Sequence, residues 1–144
     1  MYYATERRSQ ALTEFKNAKK KYTKLTAAEP KSGRLAYQYL LSVDYLAKIY
    51  QQQKEIEKWA AEVTSYFDVV ANLHPEMNRK ARFFASAIEN GLELAEFYRQ
   101  HDSKDELKSL LHRIDEKLGV LEKSDAKQSA RFRTQRAAIE TPGN

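Results

Sequence analysis

Two stretches, Leu46-Ala47-Lys48-Ile49-Tyr50-Gln51-Gln52 and Leu94-Ala95-Glu96-Phe97-Tyr98-Arg99-Gln100, decide the fold. They lie 48 residues apart and share a Leu-Ala pair, a tyrosine three positions on and a glutamine two beyond that. Extending the comparison back to Arg34 and Arg82 gives five identities in nineteen positions, where roughly one is expected of unrelated helices. Leu35/Phe83, Leu40/Ile88 and Ile49/Phe97 are conservative replacements within the same window. Both windows place apolar residues three or four apart, the spacing that draws one stripe along an α-helix.

The echo continues in both directions. Ala130-Arg131-Phe132 repeats Ala81-Arg82-Phe83 at an offset of 49. Between these windows, Ala18, Tyr22, Leu25 and Pro30 correspond to Val63, Phe67, Val70 and Pro75 at 45, and Val63 and Phe67 to Leu110 and Ile114 at 47. A helical hairpin recurring at this interval is the pattern of a solenoid, in which each unit buries its apolar faces against the next.

The punctuation predicts six helices. The first runs from about Tyr3 to Ala27, with Ala11, Phe15, Ala18, Tyr22 and Leu25 as its stripe, and Glu29-Pro30 ends it because proline disfavours helical geometry in the residue before it. Ser32 is placed to cap the second, which carries Leu35, Tyr39, Val43, Leu46 and Tyr50. Gln51 to Lys54 reads as a tight turn. The third carries Ile56, Trp59, Ala60, Val63, Phe67, Val70 and Ala71 and closes at His74-Pro75. The fourth runs from about Asn78 to Gln100 through Ala81, Phe84, Ile88, Leu92, Ala95 and Tyr98. Ser103, with Glu106 three residues on, resembles a capping box for the fifth, which carries Leu107, Leu110, Leu111, Ile114, Leu118 and Leu121. Ser124 or Asp125 caps the sixth, expected to pack through Ala130 and Ala137 until Thr141-Pro142-Gly143. Short joints make successive helices antiparallel neighbours.

Taken together, these segments resemble the tetratricopeptide-repeat family, whose first-helix motif sets Leu, a small residue and Tyr at the spacing of Leu46-Ala47-Tyr50 and Leu94-Ala95-Tyr98. The resemblance covers most of the chain and implies an all-α solenoid of about three antiparallel hairpins. It departs from the family in its period, well beyond the usual repeat of about 34 residues, and in beginning with a second-type helix and ending with a first-type one. The expectation is therefore a single helical-repeat domain over residues 1–144, read as a stretch of a longer array or an array closed by half-repeats.

Composition narrows the function. The chain has 42% hydrophobic and 31% charged residues and no cysteine, so disulfides and thiolate metal sites are excluded. No run approaches the eighteen or so apolar residues of a membrane span, so membrane insertion is not expected and a cytoplasmic location is the simplest reading. The three histidines, His74, His101 and His112, are not paired at metal-ligand spacing, and Asp102, Asp105 and Glu106 suit the positive end of a helix dipole. No Gly-rich phosphate loop or nucleophile elbow occurs. Neither enzyme chemistry, a metal nor a cofactor is expected.

What remains is binding. The resemblance implies that first-type helices line the docking face, with Leu41, Asp44, Lys48, Gln51 and Gln52 offered by the second helix and Glu89, Leu92, Glu96, Arg99 and Gln100 by the fourth. Where the family's clamp for acidic C-terminal tails uses Lys and Asn, this chain carries Asp44 and Glu89, which disfavours that ligand class. A protein or peptide carrying both charge signs is the expected partner, with Leu41 as an exposed apolar anchor. Trp59 and the Tyr37, Tyr39 and Tyr45 set read as packing residues rather than base-stacking platforms.

The alternative is nucleic acid or another anionic surface. Residues 1–34 hold nine Lys/Arg against three Asp/Glu, concentrated at Lys16, Lys19, Lys20, Lys21 and Lys24, and Arg131, Arg133 and Arg136 form a second basic group. Arg34, Arg82 and Arg131 each open a first-type helix and are expected along one edge of the array. Homo-oligomerisation through end helices stays open.

Overall fold

The chain folds into helices and short turns. The computed structural model describes the backbone of residues 2–73 and 80–140 and the side chains of 7–73 and 80–140. Over those residues run α1 (Tyr2–Ala28), α2 (Gly33–Gln52), α3 (Ile56–Ala71), α4 (Lys80–Gln100), α5 (Lys104–Ser124) and α6 (Ala126–Glu140), with no strand among the described residues. The expected helix ends at His74-Pro75 and Thr141-Pro142-Gly143, and the expected start at Asn78, lie outside the described residues. The helices group into two compact units, residues 1–78 and 79–144.

In the first unit α2 is the central element, packed against α1 on one side and α3 on the other. Ser32 caps α2 as expected: its backbone is extended and its Oγ accepts from the Leu35 amide at 3.2 Å. α2 and α3 supply the buried residues, among them Leu40, Val43, Leu46, Trp59, Val63, Phe67 and Val70. α1 contributes only half-buried side chains, led by Phe15, whose ring stacks on Tyr45 at 4.7 Å. Leu25, expected in its stripe, is 37% exposed.

In the second unit α4, α5 and α6 each pack against the other two. Phe83, Phe84, Ile88, Leu94, Leu111, Ile114, Leu118 and Leu121 are buried there. α6 joins through Phe132 (1% exposed), Ile139 and Ser129, and Ser129 Oγ donates to the Leu118 carbonyl at 3.2 Å. Ala130 and Ala137, the expected contacts, face solvent instead. The larger apolar side chains Phe132 and Ile139, seven residues apart, win the buried face because their area is worth more out of water than a methyl group's. Asp125, rather than Ser124, caps α6, its Oδ1 accepting from the Gln128 amide at 3.1 Å.

The repeat is visible in the backbone. At the end of α2, Lys54 adopts φ 60° while its N–H donates to the Gln51 carbonyl (3.1 Å) and that of Glu55 to Tyr50 (2.9 Å). At the end of α4, Asp102 adopts φ 55°, its N–H donates to Arg99 (3.4 Å) and that of Ser103 to Tyr98 (3.0 Å). This pair of bonds across a left-handed residue is the Schellman motif, occurring twice at an offset of 48 residues. The helix that follows starts on the same offset, Trp59 donating to Glu55 and Leu107 to Ser103. The register of 48 carried through the turn pairs Val63 with Leu111 and Tyr66 with Ile114, all buried, as are Val63, Phe67, Leu110 and Ile114 of the pairing at 47. It also explains why the expected capping box at Ser103 and Glu106 does not form: the Ser103 N–H is already spent on Tyr98, and its side chain makes no cap bond.

Neither left-handed position carries glycine, so each stores conformational cost of about 1–2 kcal/mol. Lys54→Gly and Asp102→Gly should each raise stability by up to about 1 kcal/mol in urea melts, and valine at either site should lower it. Phe132→Ala should cost about 3–5 kcal/mol, with amide exchange accelerating first in α6.

Candidate docking surface

One row of α2 is left partly in water, although Tyr45 on it also stacks on Phe15 of α1. Tyr37, Leu41 and Tyr45 stand four residues apart along it, followed by Lys48 and Gln52. Tyr37 is 48% and Tyr45 42% exposed, which makes them two of the few large apolar residues left in water. Leu41 between them is half-buried rather than exposed, since the two tyrosine rings flank it on the same row. Asp44 and Lys48 pair loosely across one turn at 3.8 Å, and Gln51 and Gln52 are exposed. The packing role expected of these tyrosines is met by Tyr45, which stacks on Phe15, while Tyr37 stays 48% exposed.

The expected residues of α4 divide differently. Leu92 is buried and belongs to the core. Glu89 is exposed, on the rim of a recess of about 370 Å³ that Arg82, Ser86, Asp125 and Gln128 also line. Glu96, Arg99 and Gln100 form a local cluster: Arg99 Nε donates to Glu96 Oε2 at 3.0 Å, a second guanidinium nitrogen donates to Oε1, and Gln100 Nε2 donates to Oε1 at 3.2 Å. The Arg99 hydrogen bonds hold the Glu96 carboxyl below its ordinary range and raise the Arg99 guanidinium. The structure thus brings Asp44 to Lys48 on α2 and Glu96 to Arg99 on α4, each set within its own helix and unit.

The basic residues also separate by role. Lys19 spans from α1 to α3, donating to both carboxylate oxygens of Glu62 at 2.8 and 3.2 Å with both partners partly buried. Arg136 makes a two-pronged bond to Asp115 of α5 at 2.7 and 2.9 Å and also meets Glu140. These bonds raise its guanidinium, the Asp115 hydrogen bond leading against the opposing cost of burial. Arg133 pairs with Glu122 of α5 at 3.2 Å. The second basic group expected on α6 is therefore largely neutralised: two of its three arginines fasten the helix to α5. Arg34, Arg82 and Arg131 are all exposed, and Arg131 lies over the Phe132 ring.

The groups with potential chemistry serve the helices. His101 stacks on Phe97 at 4.0 Å, with Nδ1 2.9 Å from the Phe97 carbonyl. His112 sits 3.3 Å from Glu116 one turn on, and His74 lies outside the described residues. Asp105 and Glu106 occupy the first turn of α5, where negative charge suits the dipole. No group of three or more His, Asp or Glu able to hold a metal occurs among the described residues, and no described helix is long and apolar enough to cross a membrane. A mostly apolar recess of about 370 Å³ opens in the first unit beside Thr26, Pro30, Ala36, Tyr39, Val69 and Leu73. Thr23, Thr26 and Asn72 on its rim each donate to a backbone carbonyl at 2.8 Å.

A carboxyl with a lowered folded-state pKa stabilises the native chain above its ordinary value, and that contribution is lost as pH falls through the folded one. Carbon-detected NMR titration should therefore find Glu96 ionising below an ordinary glutamate. In Arg99→Gln the midpoint should move back up; an unchanged midpoint would show that the pair does not form in solution.

Comparison with known proteins leaves the structure as the only guide: no family model, no curated protein and no solved structure matches this chain.

Proposed function

We propose that this chain is a non-catalytic docking scaffold of tetratricopeptide-like helical repeats, engaging a peptide or protein partner through the outward face of α2, with the outward face of α4 as a separate candidate surface. The repeat reading is supported by the hairpin turn that recurs with the same two hydrogen bonds and the same left-handed residue 48 positions later. Matching burial supports it too: Leu35/Phe83, Ala36/Phe84, Leu40/Ile88, Val43/Gly91, Leu46/Leu94 and Ala47/Ala95 are buried at both members of each pair. In the second unit α6 lies against both helices of the preceding hairpin, the manner in which stacked repeats cover one another's apolar faces.

The observation that carries the docking function is the Tyr37, Leu41, Tyr45 row. Tyrosines offer large contact area with few rotatable bonds, and apolar rows with a polar rim mark the centre of protein interfaces. Here the rim is supplied by Asp44, Lys48 and Gln52. On α4 the corresponding row reads Ala85, Glu89 and Glu93, with Glu96 and Arg99 beside it, so α4 contributes charge rather than apolar area. A partner segment carrying an apolar anchor matches the α2 row, and basic residues match the charged row of α4.

Peptides selected against the immobilised chain from a random display library should be enriched in such segments. Tyr37→Ala, Tyr45→Ala and Leu41→Glu should each weaken the selected peptides at least tenfold, about 1.4 kcal/mol, with Lys48→Glu altering their charge preference. Selected peptides that bind these variants as tightly as the parent chain would remove the α2 face from the docking site.

A further inference from the structure

We propose that the solvent face of α1 is a second, separate binding surface that grips the phosphate backbone of duplex nucleic acid without reading its sequence. Residues 15–28 contain five lysines and no carboxylate. Lys19 is withdrawn onto Glu62 of α3, which leaves Lys16, Lys20, Lys21 and Lys24. All four are exposed, and none is paired with an acidic side chain. The contrast with α6 is direct, since Arg133 and Arg136 there are spent on Glu122, Asp115 and Glu140. α1 is thus the place where uncompensated positive charge is gathered.

Geometry gives this charge a direction. Lys16, Lys20 and Lys24 stand one above another, rising about 6 Å per step, while the half-buried Phe15, Ala18, Tyr22 and Thr26 occupy the opposite side. Lys20, Lys21 and Lys24 border a shallow recess with Asn17 and Leu25. The long, flexible stems let three or four ammonium groups follow successive phosphates along a strand.

The rest of the face decides which polyanion fits. Its other exposed members are Thr13, Asn17, Thr23, Ala27 and Ala28, with Glu14 at the margin beside Lys21. No aromatic ring stands among them to stack unpaired bases, which argues against single strands. No row of bulky apolar residues is present to enter a lipid headgroup layer, Leu25 at the margin being alone, which argues against a membrane. Lysines without arginine provide point charges rather than the planar fork that reads guanine, so binding is to backbone and not to base edges.

Fluorescence anisotropy of the full chain with a labelled duplex of about two dozen base pairs tests this. Four phosphate contacts give a slope of log K against log salt of about −3 to −4, a loss of about a hundredfold between roughly 50 and 200 mM salt. Replacing Lys16, Lys20, Lys21 and Lys24 together by glutamine should abolish the salt-dependent binding, with thermal melts confirming that the fold persists. The control replaces Lys104, Lys108, Lys123 and Lys127 by glutamine, the same loss of net charge on the second unit, and should weaken binding less than threefold. Equal losses in the two variants, no salt-dependent binding by the parent chain, or binding to phosphatidylserine vesicles but not to duplex would each overturn the proposal. Peptides selected on the α2 face should bind the α1 variant normally, so the two surfaces fail or survive independently.

Discussion

The structure depends on how the chain reverses after α2 and again after α4. A helix ends with carbonyls that have no partner within it, and at both reversals, which lie exposed, backbone amides supply one. The chain meets this by turning one residue, Lys54 or Asp102, into the left-handed region, where the next two amides fold back onto Tyr50 and Gln51 or onto Tyr98 and Arg99. That one device sets the direction and starting register of the following helix. It thereby determines which residues of α3 and α5 face inward. The tyrosine shared by the two repeat windows supplies the backbone carbonyl that accepts this bond in both turns.

Charge is divided between holding helices together within each unit and remaining available. Arg136 illustrates the first use: a planar guanidinium bonded in two places to Asp115, partly buried, fixing a helix that has few apolar anchors of its own. Lys19 and Glu62 do the same for α1 and α3. The lysines on the outer side of α1 illustrate the second use, since they face solvent and none is paired with a carboxylate. A net charge read from composition does not distinguish these two populations. Only their partners do.

Much of this was legible before any coordinates. Helix count, the Ser32 cap, the Gln51–Lys54 turn and the interval near 48 residues follow from breakers and periodicity, which are local properties. The misreadings share a cause. Ala130 and Ala137 were as periodic as Phe132 and Ile139, and periodicity identifies stripes without saying which one is buried. Tyr37 is expected to pack, as aromatic residues usually do, yet it stays 48% exposed, whereas Tyr45 does stack on Phe15. Ser103 and Glu106 matched a capping pattern, but the turn had already used the amide that the pattern requires.

By itself, then, the sequence determined the six helices, their approximate ends and their repetition, because helix propensity, caps and stripes act over a few residues. Tertiary structure decided which stripe is inside, which cations are neutralised and which leave a charged face, and that Tyr37 and Tyr45 remain in water. Those outcomes depend on residues far apart in the chain competing for the same neighbour. A buried face goes to the side chains with most apolar area, and a charge is held by whichever opposite charge the packing places within reach.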